Sequence, residues 1–409
     1  MGCKPVIRET PFEMLLSLPL RNGLTKPKAQ RGTGVKMISM GELFSSDRIG
    51  HMPMDRVPVT DREFELSSIV PADLLFARQS LVLEGAGKCC LVKEVSEPTV
   101  FESHLIRARV DRSKAEPEYL YYFFKSPQGR ERIASIVEQV AAAGIRGTDL
   151  AKLSIPCPEL DFQHRVVGLL SCIDDKIDAN TKLNGYLDEL LLAKYDELFP
   201  KSSPYNGTLA EVGEIIGGAT PSKKRPEYYC HGGLGWITPR DLSNTSDRFV
   251  SHGSDDITEA GYNSCSATLM PKGSILFSSR APIGYVAIAS GEVATNQGFK
   301  SVVPNKTIGT AFVYCFLIRN RQRIADMGAG TTFPEVSRKT MQSVGLHIPS
   351  MEACKEFSEF AEPLLSQQYM LEKESRGLAF LRDALLPKLM SGEIDVSKVD
   401  LTQPNSHLA

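Results

Sequence analysis

Few residues of this sequence have the type and spacing of a catalytic or cofactor site. Gly85-Ala-Gly-Lys-Cys89 resembles part of a phosphate-binding loop, but that loop needs a glycine in place of Val82 and a serine or threonine in place of Cys89. The sequence has no Asn-Pro-Pro-Tyr or Asp-Pro-Pro-Tyr motif for methylating a base, no Pro-Asp…Glu-x-Lys nuclease pattern and no glycine fingerprint for a cofactor. We therefore expect a turn at 85–89, and a chain without catalysis or a cofactor of its own.

Histidine and cysteine do not suggest a metal site. The seven histidines show no ligand spacing, and Cys230-His231 is an isolated pair that we expect in a loop. The nine cysteines are odd in number, widely spread and without a CxxC motif, which argues against a disulfide framework or a structural zinc site. This cysteine usage is typical of a reducing compartment, so we expect the protein in the cytoplasm.

Short basic segments are the strongest candidates for contact with a ligand. Residues 21–36 carry five lysines and arginines and no acid, and Ser222-Lys-Lys-Arg225 follows the glycine-bearing segment 217–221 in the matching place of the second half. Basic loops with glycine and hydroxyl side chains suit contact with DNA phosphates and entry into a groove. The alternative for each loop is incidental charge on a solvated surface.

A third loop, at 328–334, offers backbone donors and hydroxyls close to Arg338, and its shorter counterpart lies at 143–148. We predict that DNA is contacted from these loops and from the repeated segments described next. The candidate DNA-binding residues are Lys26, Lys28, Arg31, Lys36, Arg146, Lys223, Lys224, Arg225, Arg240, Arg280, Thr331, Thr332 and Arg338.

The chain contains an internal repeat with a period near 200 residues, which is too long for a solenoid and indicates a duplicated domain. Met37 stands opposite Trp236 in the first matching pair of segments, and the second pair, of eight and ten residues, aligns only with an insertion. Each match is weak alone, but all four keep their order along the chain. The matches are 34–43 with 233–242, 71–78 with 271–280, 121–124 with 313–316, and 153–156 with 346–349.

A long helix is predicted after each repeat, from about Asp161 to Phe199 and from about Glu352 to Met390. Apolar residues recur every seven positions, which is typical of a coiled coil, although two ordinary surface helices are the alternative. In the second helix we assign Phe357 and Phe360 to the two core positions of one heptad. The predicted interface residues are Leu170, Ile173, Ile177, Asn180, Asn184, Leu187, Leu191, Leu364, Leu371, Leu378, Leu381 and Leu385.

Polar residues interrupt both heptad patterns near the middle, at Asn180 and Asn184 in one helix and at Gln367 and Glu374 in the other. Such residues can fix register and partner choice, or they can mark a solvated stretch where helices diverge. Pro363 would kink or restart the second helix. Between Asp161 and Phe199 there are eight acids against four lysines and arginines, so we expect this helix to contact protein rather than DNA.

The segments before each helix are rich in short β-runs separated by glycine and proline, with helical stretches at about Pro117–Val140 and Thr310–Asp326. We therefore expect a mixed α/β fold with two globular domains in tandem, each followed by a long helix, and antiparallel packing of the two helices. The 409 residues include 42% hydrophobic ones, enough for sizeable cores, and the net charge of −2 restricts any nucleic-acid surface to local patches. No stretch is apolar and long enough to span a membrane.

This pattern resembles the specificity subunits of type I restriction–modification systems over nearly the whole chain. The stretches that carry the resemblance are Gly217-Gly-Ala-Thr-Pro221 with Gly235-Trp-Ile-Thr-Pro239, Gly273-Ser-Ile-Leu-Phe-Ser-Ser-Arg280, and Leu381-Arg-Asp-Ala-Leu-Leu-Pro-Lys-Leu-Met-Ser-Gly392. The first half departs more, because Met37 replaces the tryptophan and Met40 replaces the second proline.

The resemblance implies that each globular domain reads one half of a split double-stranded DNA target, and that the helices hold the two halves apart. It also implies two methyltransferase subunits that bind S-adenosylmethionine, and up to two restriction (motor–nuclease) subunits that use ATP and Mg²⁺. The implied domains are recognition domains at 1–160 and 200–350, helices at 161–199 and 351–392, and a tail at 393–409. The rival interpretations are a methyltransferase-type enzyme and a coiled-coil scaffold that does not bind DNA.

The two domains differ in sequence, so we expect an asymmetric target with an unread gap. A 39-residue helix would be roughly 58 Å long, enough for modules that reach successive major grooves about 34 Å apart. The target sequence itself cannot be derived from the residues.

Overall fold

The computed structural model describes residues 7–139, 143–330 and 334–396. It divides the chain into two compact units, one formed by residues up to Asp175 together with residues from Leu378 onward, and the other by Lys176–Gly377. The division falls within both long helices, so each unit contains part of each helix.

The first unit is built on a five-stranded sheet of order β2-β10-β6-β8-β4, in which only the β4–β8 pair is parallel. Smaller sheets, β5-β3-β9, β11-β12-β7 and β1-β13, complete it. Its strands are β1 (Arg8–Pro11), β2 (Leu16–Asn22), β3 (Val35–Ile38), β4 (Arg48–Ile49), β5 (Asp55–Val57), β6 (Leu74–Ala77), β7 (Gln79–Ser80), β8 (Cys89–Val92), β9 (Thr99–Phe101), β10 (Leu105–Val110), β11 (Glu138–Gln139), β12 (Ala143–Gly144) and β13 (Ser154–Cys157).

Short helices cover this sheet, and the almost wholly buried α3 packs against it in the main core of the unit. The predicted helical stretch from Pro117 is two helices rather than one. Pro127 cannot donate a backbone hydrogen bond, and Ser126 ends the first helix and caps the second by accepting from the amide of Gly129. The helices are α1 (Met40–Ser45), α2 (Asp61–Ser67), α3 (Pro117–Lys125), α4 (Pro127–Ala134), α5 (Gly147–Lys152) and the long α6 (Leu160–Leu198).

The second unit repeats this design with a sheet of order β15-β23-β20-β21-β18, in which only the β18–β21 pair is parallel. Its smaller sheets are β14-β24, β16-β19 and β17-β22. Its strands are β14 (Gly207–Thr208), β15 (Gly213–Gly217), β16 (Tyr229–Cys230), β17 (Gly235–Ile237), β18 (Phe249–Val250), β19 (Asp256–Ile257), β20 (Ile275–Ser279), β21 (Ile283–Ala289), β22 (Val293–Thr295), β23 (Lys300–Pro304) and β24 (Gly345–Leu346). Its helices are α7 (Leu209–Val212), α8 (Pro239–Ser243), α9 (Glu259–Asn263), α10 (Thr310–Asp326), α11 (Arg338–Gln342) and the long α12 (Met351–Met390).

The mixed α/β fold and the duplication predicted from the sequence are therefore confirmed, with one correction to the alignment. Ala72 and Gly273 hold equivalent positions before β6 and β20, with φ of 72° and 88°, and no inserted residue separates the two segments. The backbone amides of Arg78 and Ser279 then donate to the neighbouring strand over 2.8 and 2.7 Å. Arg78 is therefore equivalent to Ser279, and the counterpart of Arg280 is the next residue, Gln79.

The long helices begin and end within one residue of the predicted bounds, and they run antiparallel. In the second unit Asn180 of α6 donates to Glu374 of α12 over 2.8 Å, and Lys194 lies 3.5 Å from Glu356. Within the first unit the ends of the same helices pair Asp174 with Arg382 at 2.7 Å. α12 continues through the exposed Pro363 rather than restarting there.

The heptad assignment is confirmed for α6 but is wrong by one residue at the second core position of α12. Every core position assigned in α6 is buried or partly buried, whereas Gln367 and Leu381 of α12 are exposed, Leu381 by 47%. The buried positions fall four residues after Phe357, Leu364 and Leu371 rather than three. They are Ala361, Gln368, Ser375, Arg382 and Leu389, each buried or partly buried. The core residues of α12 are therefore spaced alternately by four and three residues, which is the heptad pattern with Phe357, Leu364 and Leu371 at the second of the two core positions.

Candidate nucleic-acid interface

The duplicated fold brings the same backbone segments to one end of each unit. β3 and β17 lie parallel to β9 and β22, with Met37 and Trp236 at equivalent positions. Gly23 and Gly218 lie so close to these strands that an added Cβ would sit 2.0 and 2.1 Å from a backbone carbonyl oxygen. The close approach explains why glycine stands where each basic segment leaves its sheet.

The basic segment of the second unit is anchored at its base by two aromatic side chains. The indole N–H of Trp236 donates to the carbonyl of Ala219 over 3.0 Å, and the hydroxyl of Tyr229 donates to the carbonyl of Pro221 over 2.7 Å. The two rings pack edge to face at 5.8 Å. The loop is therefore attached to the rigid body of the unit before its cations begin.

The tip of the same segment exposes its cations. Lys223, Lys224 and Arg225 are all exposed, and the guanidinium of Arg225 lies 3.4 Å from Glu227 and over the ring of Tyr228. A salt bridge between two side chains about 60% exposed is weak and screened by salt. The three charges remain accessible to an anionic partner.

A cleft of about 630 Å³ lies beside this segment and collects three of the predicted residues, Lys223, Arg240 and Arg280. Arg280 also lies 3.6 Å from Glu335, which is held by Lys300 at 3.1 Å. Among the polar residues of this cleft that the sequence analysis missed are Thr220, Asn244, Asn296 and Gln297. Asparagine and glutamine can pair bidentately with adenine, and their position just after strands or short helices was the signal that could have found them.

Two acids, Asp241 and Asp255, line this cleft, and Asp241 has a structural role. Burial alone would raise its pKa, but hydrogen bonds from Ser254 and Thr238 to the carboxylate hold the pKa below its usual value. Asp241 completes a capping box with Thr238 at the start of α8. Its charge is therefore compensated within the wall of the cleft.

The basic segment of the first unit is folded differently. Lys26 pairs with Glu63 at 2.9 Å, Arg31 with Asp55 at 2.9 Å, and Lys36 with Glu97 at 2.9 Å. The side chains of the three cations are only 13%, 26% and 14% exposed. The segment has no acids of its own, but the fold brings acids to it from other segments. Lys28 is exposed.

The other candidates of the first unit line a cleft of about 860 Å³ at the end of β6 and β7. Arg146 lies there, 67% exposed and 2.7 Å from Glu138. Asn22, Arg78, Gln79 and Thr148 also line this cleft, and none of the four was identified from the sequence. Of the remaining candidates, Arg338 is exposed at the start of α11, and Thr331 and Thr332 lie outside the described residues.

Buried polar side chains connect each unit to its part of the long helices, and the sequence analysis did not predict these contacts. In the second unit Arg248, 14% exposed, lies 3.2 Å from Asp188 of α6 and 3.6 Å from Glu372 of α12, and donates to the hydroxyl of Tyr314 over 3.2 Å. Glu372 also accepts from the backbone of residues 248 and 249, and burial raises its pKa. In the first unit Tyr122 donates to Asp174 over 2.7 Å.

One face of α6 in the second unit exposes three apolar side chains. Leu183, Tyr186 and Leu190 are 41%, 66% and 49% exposed, at spacings of three and four residues that put them on one stripe. The neighbouring core residues Leu187 and Leu191 are partly and wholly buried, respectively. These three residues are called the α6 stripe below, and an exposed apolar stripe of this kind is typical of surfaces that bind another protein chain.

Over the described ranges no cluster of histidine, cysteine or acidic side chains could hold a metal ion. No helix in the part of the chain that the structure describes is long and apolar enough to cross a membrane.

Comparison with known proteins identifies this arrangement. Residues 205–376 match the family model "Type I restriction modification DNA specificity domain". The MjaIX specificity subunit of Methanocaldococcus jannaschii, a type I restriction enzyme subunit, is 38% identical over 175 residues, 40% of each chain. The putative type I restriction enzyme MjaX specificity subunit of the same organism is 23% identical over 389 residues, 92% of this chain and 91% of that one.

The fold is also that of a solved structure, the S subunit of a type I restriction–modification system from M. genitalium. The two share 16% sequence identity and superpose with a TM-score of 0.57 over 95% of this chain and 97% of that one. Residues 205–376 therefore carry a type I restriction–modification DNA specificity domain, and the chain is similar to specificity subunits of these systems over more than nine-tenths of its length. These matches confirm the prediction of a DNA-recognition subunit without catalysis of its own.

Proposed function

We propose that each unit reads one half of an asymmetric, bipartite DNA target, and that the clefts at the strand ends are the reading surfaces. The observation that carries the proposal is that each unit has a polar cleft just beyond the end of the equivalent strand, β6 or β20, where Gln79 lines one cleft and Arg280, at the equivalent position, lines the other. Backbone scaffolds repeated with different side chains suit two different half-sites, because bases are read by side chains in the groove.

Within this proposal the exposed cations contribute affinity and the cleft side chains contribute specificity. Lys28, Lys223, Lys224, Arg225 and Arg338 are exposed and suit phosphate contacts, whereas Arg240, Arg280 and Arg146 lie in clefts where a base edge can enter. Lys26, Arg31 and Lys36 are engaged in ion pairs, so we assign them to holding the first unit's loop in shape.

The α6 stripe and the acidic surface of α6 are proposed to bind the partner subunits. Two methyltransferase subunits would supply S-adenosylmethionine and the chemistry, and two motor–nuclease subunits with ATP and Mg²⁺ would join them in a restricting complex in the cytoplasm. The recognition domains then correspond to residues 1–160 and 200–350, with spacer helices at 161–199 and 351–392 and a tail at 393–409.

Methylome sequencing of the host with and without this gene tests the proposal. We expect one bipartite, non-palindromic motif to lose methylation on deletion. A continuous motif or a perfect palindrome would contradict the two-unit reading. Methyl transfer by the pure chain alone would establish the enzyme alternative, and the absence of any salt-dependent binding to DNA by the assembled complex would establish the scaffold alternative.

A further inference from the structure

The turn that follows β7 in the first unit exposes three consecutive apolar side chains. Leu81 is 100% exposed, Val82 59% and Leu83 50%. Single exposed apolar residues are common, but three in a row at the tip of a turn form a protruding apolar surface. Nothing in the described part of the first unit covers them.

This turn is held in one shape. The guanidinium of Arg130 donates to the carbonyls of Glu84 and Ala86 over 2.7 and 3.2 Å, and the hydroxyl of Ser80 accepts from the amide of Val82. An added Cβ at Gly85 would lie 2.2 Å from the same hydroxyl. These contacts hold the turn in one conformation, so it loses less conformational entropy when the apolar tip binds a partner.

The position of the tip points to DNA as the partner. Leu81 comes two residues after Gln79, which lines the cleft of the first unit together with Asn22 and Arg146. The charge of Glu84, the one acid of the turn, is opposed by Arg130. A duplex seated in this cleft would therefore meet the apolar tip next to the polar side chains.

The second unit lacks such a tip. The equivalent turn begins with Arg280 and continues through Ala281 and Pro282 to Ile283, whose side chain packs on the core of that unit. The apolar tip is thus specific to one unit, as expected for a device that serves one half-site rather than the common scaffold.

We propose that Leu81, Val82 and Leu83 form an apolar wedge that enters the DNA at the half-site of the first unit and partly unstacks a base step. Leucine and similar side chains can unstack and kink a duplex in this way, and the deformability of the step then contributes to sequence selectivity. The inference rests on the proposed function of the cleft.

The test uses the full chain in complex with its methyltransferase subunit and a duplex carrying the motif found by methylome sequencing. Adenines of each half-site are replaced in turn by 2-aminopurine, whose fluorescence rises when it is unstacked. The methyltransferase flips its target adenines, so those positions should brighten with every chain that binds. We expect one further position, in a single half-site, to brighten with the native chain. Replacement of all three residues by serine should abolish that signal and weaken specific binding by about tenfold or more.

The matched control replaces Met14 and Val70 by serine, because these residues of the first unit are also apolar and exposed, by 58% and 39%, but lie outside the turn and the cleft. This control should leave the fluorescence at the target unchanged. The wedge is overturned if the Leu81/Val82/Leu83 variant binds and brightens like the native chain, or if it loses the methyltransferase subunit while keeping the signal, which would make the tip a protein-docking surface. If the native complex shows no preference for the motif, the proposed function fails instead.

Discussion

The two units share one backbone design and differ in the charged side chains attached to it. At the residue before β4 and β18, the first unit has Asp47 and the second has Arg248, and each carbonyl accepts from the neighbouring strand over 3.0 and 2.7 Å. Asp47 is neutralised by Lys125 and Lys88, whereas Arg248 is neutralised by carboxylates of the long helices. The charge is inverted between the units and is compensated locally in each.

The same contrast holds for the basic segments. In the segment 21–36, Lys26, Arg31 and Lys36 are engaged by acids from other segments, whereas the three cations of 222–225 are all exposed. Two segments that are similarly basic in the sequence therefore differ in how many of their cations are accessible in the fold. The duplicated backbone determines the position of each side chain, and the neighbouring residues determine whether its charge is accessible to DNA.

The largest effect is expected for Arg248→Ala, which leaves Asp188 and Glu372 without their buried cation. Removal of one partner of a buried pair typically costs about 3–5 kcal/mol, so urea unfolding of the variant should show a marked loss of stability. Asp47→Asn in the first unit should cost about 1 kcal/mol or less, because the Asp47 side chain is 43% exposed. If both variants lost the same free energy of unfolding, the difference in burial between Arg248 and Asp47 would not explain the cost of removing the charge.

Next in size is the effect of replacing Lys223, Lys224 and Arg225 by alanine. If each contacts a phosphate, the slope of log affinity against log salt should fall by about 2 to 3, and all sequences should be bound more weakly. The matched variant replaces Lys26, Arg31 and Lys36, and we expect little change in salt slope but lower stability. A degenerate base position with overall affinity retained would mean that residues 223–225 read bases instead.

A smaller, more local effect is expected on the α6 stripe. Aspartate at Leu183 and Leu190 should reduce co-purification of the methyltransferase subunit, because burying unpaired charges in an apolar contact is costly. The side chains are already exposed, so the unfolding midpoint should stay close to that of the native chain. If the folded variant co-purified the methyltransferase subunit as well as the native chain does, the α6 stripe would not be the partner interface.

The sequence predicted the scaffold better than the site. Heptad spacing located both long helices to within a residue, because an apolar period is a local property of the chain. The second core position of α12 was misplaced because Phe357 and Phe360 are both apolar, and only contact with α6 shows that Ala361 faces the core. Ion pairs such as Lys26–Glu63 join residues far apart in sequence, so the availability of each cation could not be predicted from a charge count.

The smallest change in affinity, and the sharpest test of the comparison, is expected from exchanging the equivalent strand-end residues. Arg280→Gln gives the second unit the side chain that the first unit has at Gln79. Glu335 loses its contact with Arg280 but keeps its ion pair with Lys300 at 3.1 Å. Arginine pairs bidentately with guanine and glutamine with adenine, so the preferred base should change at one position of one half-site. Binding to the original target should weaken by roughly the 1–3 kcal/mol of a single mismatch, and binding to other DNA should stay the same. Gln79→Arg should alter the other half-site alone, as read from the methylome of cells carrying each variant. Changes in both halves of the motif from one substitution would mean that the units do not read DNA independently.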